Sequence, residues 1–423
     1  MISRRNLLSA VAGLSAATTG CIGGQNYTAE TNCGEAPREI PTSETFVSEA
    51  AAYEVNCTDR KRLQVGAVDD RLYALCGGLS AYSRNNGDQQ WHIDTGYGDP
   101  ELSVTSDSIY IVRRAAPPNS RSQPRGIGKY THHGEHEWFT EIRGGAPTLV
   151  GSSAKFLAVG RYSDVRSENG YSVSGIDKNS GRIVWTVETG GISPHRSSGL
   201  VRDGTLYVTD SFSVYSIDLA TGDKNWERDL SSDGDIDGIA GVEGVLVFGG
   251  DWQLLDTTTG KTKWRRSVAP AAGKVRLGEE AIYYDDAGDI TAMSYSGDRV
   301  WKRSTCTERV VSLLEGDNTI VVNGRSFVGF DKDRGELKWR NRITGSQESY
   351  SDGNALYVLS DPASHSSTPS ETDSDEQSRI LKIDIATGEY VYSFGSESHP
   401  VGGYVSSGDI YVLEQDGRLN RLE

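Results

Sequence analysis

Apolar residues in this chain do not gather into long runs. They alternate with polar ones over short stretches separated by Gly, Asp, Asn and Thr. Thr205-Leu206-Tyr207-Val208-Thr209 is followed by Ser213-Val214-Tyr215-Ser216-Ile217, and then by Lys224-Asn225-Trp226-Glu227. A period of two residues is that of a half-buried strand, with one face on a core and the other towards water. No window holds the 3.6-residue period of a capped helix, so the pattern predicts an all-β chain of short antiparallel strands.

The strand pattern is repeated. A Gly followed four residues later by a large aromatic occurs as Gly87/Trp91, Gly134/Trp138, Gly181/Trp185, Gly222/Trp226, Gly260/Trp264, Gly297/Trp301, Gly335/Trp339 and Gly388/Tyr392. Successive glycines lie 47, 47, 41, 38, 37, 38 and 53 residues apart, and seven of the eight Trp occupy this one position. Asp177, Asp218, Asp256, Asp331 and Asp384 each stand four residues before their Gly. Asp-x-x-Thr-Gly suits a tight turn, because Gly accepts positive φ and the Asp side chain bonds nearby amides. Four short strands per ~40-residue repeat is the arithmetic of a β-propeller blade. A lone blade cannot bury both faces, so the Trp is expected to pack between neighbouring blades.

The unit Asp-Leu-Ala-Thr-Gly-x-x-x-Trp at 218–226 resembles the tryptophan-docking repeat of pyrroloquinoline-quinone (PQQ)-type propellers, over residues 61–423. That family includes quinoprotein alcohol dehydrogenases and the propeller lipoprotein of the outer-membrane β-barrel assembly machine. Its members usually form eight blades, matching the eight motifs. The expectation is therefore an eight-bladed propeller of four-stranded antiparallel blades over residues 46–423, with nine or seven blades as alternatives. Residues 402–423 supply about three more strands, expected to close the ring on strands near Thr45 to Val55. The dehydrogenases resemble one another in an adjacent Cys-Cys disulfide, a Trp floor under the quinone, a calcium ion and an Asp base. This chain has no adjacent Cys pair, and its Trp residues are taken up by the repeat register. The resemblance thus implies the fold and not a quinone, and no PQQ cofactor and no catalytic residue is expected. Two functions follow. One is a non-catalytic surface lipoprotein that binds protein or polymer through loops on one face. The alternative is an extracytoplasmic quinoprotein-type oxidoreductase with a site in the central channel.

Composition narrows the setting. There are 43 Lys+Arg against 59 Asp+Glu in 423 residues, a net charge of −16, which excludes an electrostatic grip on nucleic acid. An acidic, Lys-poor, Gly-rich chain resembles the proteins of salt-loving archaea. Residues 1–20 read as an export signal: Arg4-Arg5 resembles the twin-arginine motif, and Thr18-Thr19-Gly20-Cys21 resembles a lipobox with Cys21 as the acylated residue. Residues 21–45 read as a flexible tether, placing a monomeric propeller on the outer face of the cytoplasmic membrane. Asn26 and Asn56 head glycosylation sequons. Cys33, Cys57, Cys76 and Cys306 allow three disulfide connectivities, with Cys33–Cys57 the favoured pair.

Candidate chemistry is sparse. Asp233, Asp235 and Asp237, with Gly238 at the sixth place, match the front half of a calcium loop, although Gly244 occupies the place of the closing Glu. Asp285, Asp286 and Asp289 form a weaker cluster of the same kind, and His132, His133 and His136 crowd the turn of repeat two. Thr259-Gly260-Lys261-Thr262 resembles the tail of a phosphate loop but coincides with a repeat turn. Long insertions lie between second and third strands: the basic Arg113–Arg125, Arg161–Gly170, and the acidic, Ser-rich Ser360–Arg379. In an eight-blade ring, repeats eight, one, two and three are neighbours, so these insertions would share one arc. Trp252 alone stands outside the repeat register, either as an exposed contact residue or packed on a neighbouring hairpin.

Overall fold

A computed structural model describes residues 49–422 except 56–62, 96–99, 115–123, 144, 164–170, 190–198, 211, 234–235, 242–243, 269–273, 287, 306, 308–309, 325, 342, 344–345, 361–378, 396–399, 407–408 and 415–417. Cys21, Arg4, Arg5, Asn26, Asn56, Cys33 and Cys57 lie outside the described residues. Thirty-six strands, numbered in chain order from β1 (Glu49–Glu54) to β36 (Arg418–Leu422), form nine four-stranded antiparallel sheets. The runs read from the sequence at 205–227 appear as β15 (Thr205–Thr209), β16 (Ser213–Asp218) and β17 (Lys224–Asp229). No helix among the described residues is long and apolar enough to cross a membrane.

The ring therefore has nine blades, the first of the two alternatives to the expected eight. Strands β2 (Gln64–Val68) to β33 (Tyr390–Gly395) make blades 1 to 8 in order. Blade 9 is β34 (Pro400–Ser406), β35 (Asp409–Glu414), β36 and, on the outside, β1. Counting motifs misses it for a topological reason. The Gly-x-x-x-Trp motif is carried by the hairpin between third and fourth strands. In blade 9 those strands come from opposite ends of the chain, so no hairpin exists to carry it. The expected closure does occur: Ala52 pairs with Asn420 and Tyr53 with Leu419.

Nine clusters of buried apolar side chains lie one between each pair of neighbouring blades. The cluster between blades 9 and 1 joins Tyr53, Tyr411, Leu413 and Leu419 to Leu72, Ala74 and Tyr82. The innermost strands β34 and β2 also touch, which closes the circle.

Each docking Trp crosses to the next blade. Its indole Nε1–H donates to a main-chain carbonyl of that blade's turn: Trp91 to His132, Trp138 to Lys178, Trp185 to Leu219, Trp226 to Thr257, Trp264 to Tyr295, Trp301 to Lys332 and Trp339 to Ile385, at 2.7–3.2 Å. The ring then packs under the turn glycine. Gly222 has φ of 81°, and a Cβ there would lie 2.6 Å from Cγ of Trp185. Glycine is thus required twice over, for the left-handed backbone and for the space. The turn Asp keeps its place by accepting main-chain N–H groups: Asp218 Oδ1 takes those of Ala220 and Thr221, both at 2.9 Å.

Tyr53 does the same work at the seam. Its hydroxyl donates to the Arg84 carbonyl, three residues before Gly87, at 3.2 Å. Burial pushes that hydroxyl above its ordinary pKa, so it stays a neutral donor. The Arg84 guanidinium in turn binds Asp409, which lies 3.7 Å from Arg421 and accepts from the Tyr411 hydroxyl at 3.1 Å. Tyr53 thus joins the seven docking Trp as an eighth docking residue, invisible to a search for Gly-x-x-x-Trp.

Candidate binding face

Antiparallel blades put their connections on two faces. Turns joining first to second and third to fourth strands share one face, with all the docking turns. Connections from second to third strand, and from each blade to the next, share the other, called here the loop face. The three insertions leave the loop face from blades 2, 3 and 8. Blade 9 separates blade 8 from blade 1, so the arc they occupy is one blade wider than an eight-blade ring would give. The central stretches of the insertions lie outside the described residues.

The bases of the blade 2 and blade 3 insertions are held. Arg113 lies 4.3 Å from the centre of the Phe139 ring and donates to the Tyr130 hydroxyl at 3.2 Å. Arg114 pairs with Glu101 at 2.6 Å and donates to Thr148 Oγ1 at 3.0 Å, tying blades 2 and 3 together. Arg161 donates to the Arg143 carbonyl at 3.0 Å and lies 3.6 Å from Glu188. Arg113 and Arg114, at the start of the insertion read as basic, and Arg161 therefore act as guy-ropes for the loop stems. Two apolar side chains are exposed on described parts of this face: Phe212, at 38%, and Val311, at 42%. Asp210 shapes the Phe212 tip, accepting the N–H of Phe212 and of Ser213 at 2.8 and 2.6 Å and the Tyr215 hydroxyl at 2.8 Å. The other exposed large apolar side chains, Ile183, Val184, Val300, Leu337 and Val391, lie on outer strands at the rim.

Several candidates from the sequence resolve into structure. Trp252 is 2% exposed, with its ring 4.8 Å from Tyr284 and 6.2 Å from Phe248, so it is core between blades 5 and 6 and not a contact residue. His132 Nδ1 meets the Tyr73 hydroxyl at 2.7 Å and Nε2 the Ser106 carbonyl at 3.2 Å, while His136 packs edge-on against Tyr130. Neither nitrogen of His132 is left for a metal. Asp286 and Asp289 hold Lys302 Nζ at 2.7 and 3.2 Å, so a lysine serves where a cation was considered. Burial raises the pKa of the neighbouring Asp285. Thr259, Gly260 and Lys261 form the docking turn of blade 5, with Asp256 accepting from Thr259. Asp233 ends a short 3-10 turn and Asp237 lies on β18 (Ile236–Gly241); Asp235 lies outside the described residues. Cys76 is in a disulfide whose partner lies outside them too. Among the described residues, no group of three His, Cys, Asp or Glu is placed to hold a metal ion.

The family model described as outer membrane protein assembly factor BamB matches residues 169–291 and 286–420. No curated protein matches the sequence. Among solved structures, BamB from Moraxella catarrhalis aligns over 89% of this chain and 100% of its own, at 13% identity and a TM-score of 0.47. The quinohemoprotein alcohol dehydrogenase from Comamonas testosteroni aligns over 89% of this chain and 76% of its own, at 12% identity and a TM-score of 0.50. The computationally designed Ika8 protein aligns over 88% and 99%, at 11% identity and a TM-score of 0.52. The chain has no adjacent Cys pair. Seven indoles are bonded to neighbouring blades and the eighth, Trp252, is enclosed in the core.

Proposed function

Because this chain belongs to the PQQ-like β-propeller family whose model carries the description of the assembly factor BamB, we propose that it is a non-catalytic scaffold binding a protein or cell-surface polymer through its loop face. The observation that carries this reading is the division of labour between the faces. The recurrent residues of the docking-turn face are consumed in holding blade to blade, whereas insertions of unrelated sequence leave the loop face, those of blades 2 and 3 from braced stems. Phe212 and Val311 add apolar contact points there. The family name supports a protein partner over a small-molecule substrate.

Export through Arg4-Arg5 and acylation at Cys21 complete the proposal, tethering the propeller to the outer face of the cytoplasmic membrane. Replacing Cys21 by Ser should then move the protein from the membrane fraction to the medium.

The test is to cross-link the protein in its native membranes and identify what it holds, with wild type and with variants lacking 115–123 and 361–378. Loss of a reproducible partner on loop deletion, with the melting temperature unchanged, supports the loop face. Retention of every partner by both deletions overturns it. The oxidoreductase alternative is checked by adding PQQ and calcium and following dye-linked oxidation of alcohols or sugars. Turnover at fixed quinone stoichiometry would replace the scaffold reading.

A further inference from the structure

We propose that Asn86 is a self-modification site built into the seam of the ring, where deamidation driven by the turn's own groups yields aspartate or isoaspartate. Asn86-Gly87 occupies the docking turn of blade 1, and Asn86 is exposed. In this reaction the Gly87 main-chain nitrogen attacks Cγ of Asn86. A new Cγ–N bond closes a five-membered imide, the Cγ–Nδ2 bond breaks, and ammonia leaves carrying the proton lost by Gly87. Water then opens the imide at either carbonyl. Glycine favours the attack because no Cβ obstructs its nitrogen.

The turn supplies what the attack needs at the side-chain amide. The Asp88 N–H donates to Asn86 Oδ1 at 3.2 Å, which stabilises negative charge developing on that oxygen. The Asp88 carboxylate accepts from Asn86 Nδ2 at 2.5 Å and so stands where the departing nitrogen exchanges protons. One group restrains the nucleophile: Gly87 N–H donates to the Ser83 carbonyl at 2.9 Å, a bond at the surface that must open first.

The chain contains its own control. Asn323-Gly324 is the same dipeptide, yet Asn323 is 2% exposed and its Nδ2 donates to Ser312 and Ser349 hydroxyls at 3.2 and 2.8 Å, with no carboxylate on the amide. Asn86 is set to react and Asn323 to persist.

The location gives the change a consequence. Deamidation replaces the Asn86–Asp88 hydrogen bond with two carboxylates in contact, and the isoaspartyl form lengthens the turn's main chain. This turn holds Arg84, whose carbonyl takes the Tyr53 hydroxyl and whose guanidinium takes Asp409. Modification therefore loosens the joint where N- and C-terminal strands close the ring.

The test is to age the folded full-length protein at mildly alkaline pH and map its peptides, separating Asp from isoAsp. Chain held unfolded in urea serves as the reference. Conversion at Asn86 with Asn323 intact is expected, with an Asp88→Ala variant converting several-fold more slowly. Aged protein should also show faster amide exchange in β1 than fresh protein. Asn86 remaining an amide in the folded protein, over a time in which the unfolded chain converts, overturns the site. Equal rates in wild type and Asp88→Ala overturn the role of Asp88, and unchanged exchange in β1 overturns the link to the seam.

Discussion

At seven blade interfaces, an indole from one repeat packs under a glycine of the next. Truncating Trp185 to Ala removes the packing under Gly222 and strands the Leu219 carbonyl. The expected cost is about 3–5 kcal/mol, read from chemical denaturation. Gly222→Ala attacks the same contact from the other side, through backbone strain and a clash, and should lower stability by roughly 1–3 kcal/mol. Because both changes break one contact, their sum should exceed the effect of the double variant.

The turn carboxylates set an acid limit. The Thr259 hydroxyl and main-chain N–H hold Asp256 below its ordinary pKa, and those of Ser180 do the same for Asp177. A depressed folded value means the stabilisation is complete above the unfolded carboxylate range and fades as pH falls through the lowered value. Wild type should thus lose melting temperature between about pH 5 and pH 3, and a D177N/D256N variant should lose less of it over that interval.

At the scale of elements, one joint, β1 on β36, is made without a covalent hairpin. Tyr53→Ala should cost as much as removing a docking Trp, about 3 kcal/mol or more, and should raise amide exchange first in β1 and β36. A different device ties blades 6 and 7. Glu315, with a side chain 9% exposed, takes Lys332 at 2.7 Å and Arg276 at 3.5 Å. Lys332→Ala leaves a buried carboxylate short of its closer partner and should cost ~3 kcal/mol by urea melts.

The strands and docking residues of blades 1 to 8 were legible because each repeat writes the same requirement in the same order. Blade 9 carries no motif to count, since its third and fourth strands are separated by almost the whole chain, although its C-terminal strands and their closure near Val55 were readable and gave the nine-blade alternative. Its docking residue is a Tyr without a preceding Gly. Trp252 stayed between two readings for a related reason: sequence shows that a Trp is out of register, but only the fold shows Phe248 and Tyr284 around it and so decides for packing. The basic look of Arg113 and Arg114 was likewise real in composition, whereas Glu101 and Phe139, their partners, come from other strands.

At the scale of the molecule, a net charge of −16 repels itself throughout the ring. Raising NaCl from low concentration to about 1 M should screen that repulsion and raise the calorimetric melting temperature. A flat response would show that the turn and seam pairings already neutralise the field.

The head-to-tail docking of Trp under the following glycine has one more consequence. Seven of the interfaces are encoded half in one repeat and half in the next, with the same grammar each time. Cutting out or duplicating a stretch from one turn glycine to the next leaves every indole facing a glycine. Ring size is then a matter of copy number and of where the chain's ends meet, and a gene could gain or shed a blade without inventing a new joint.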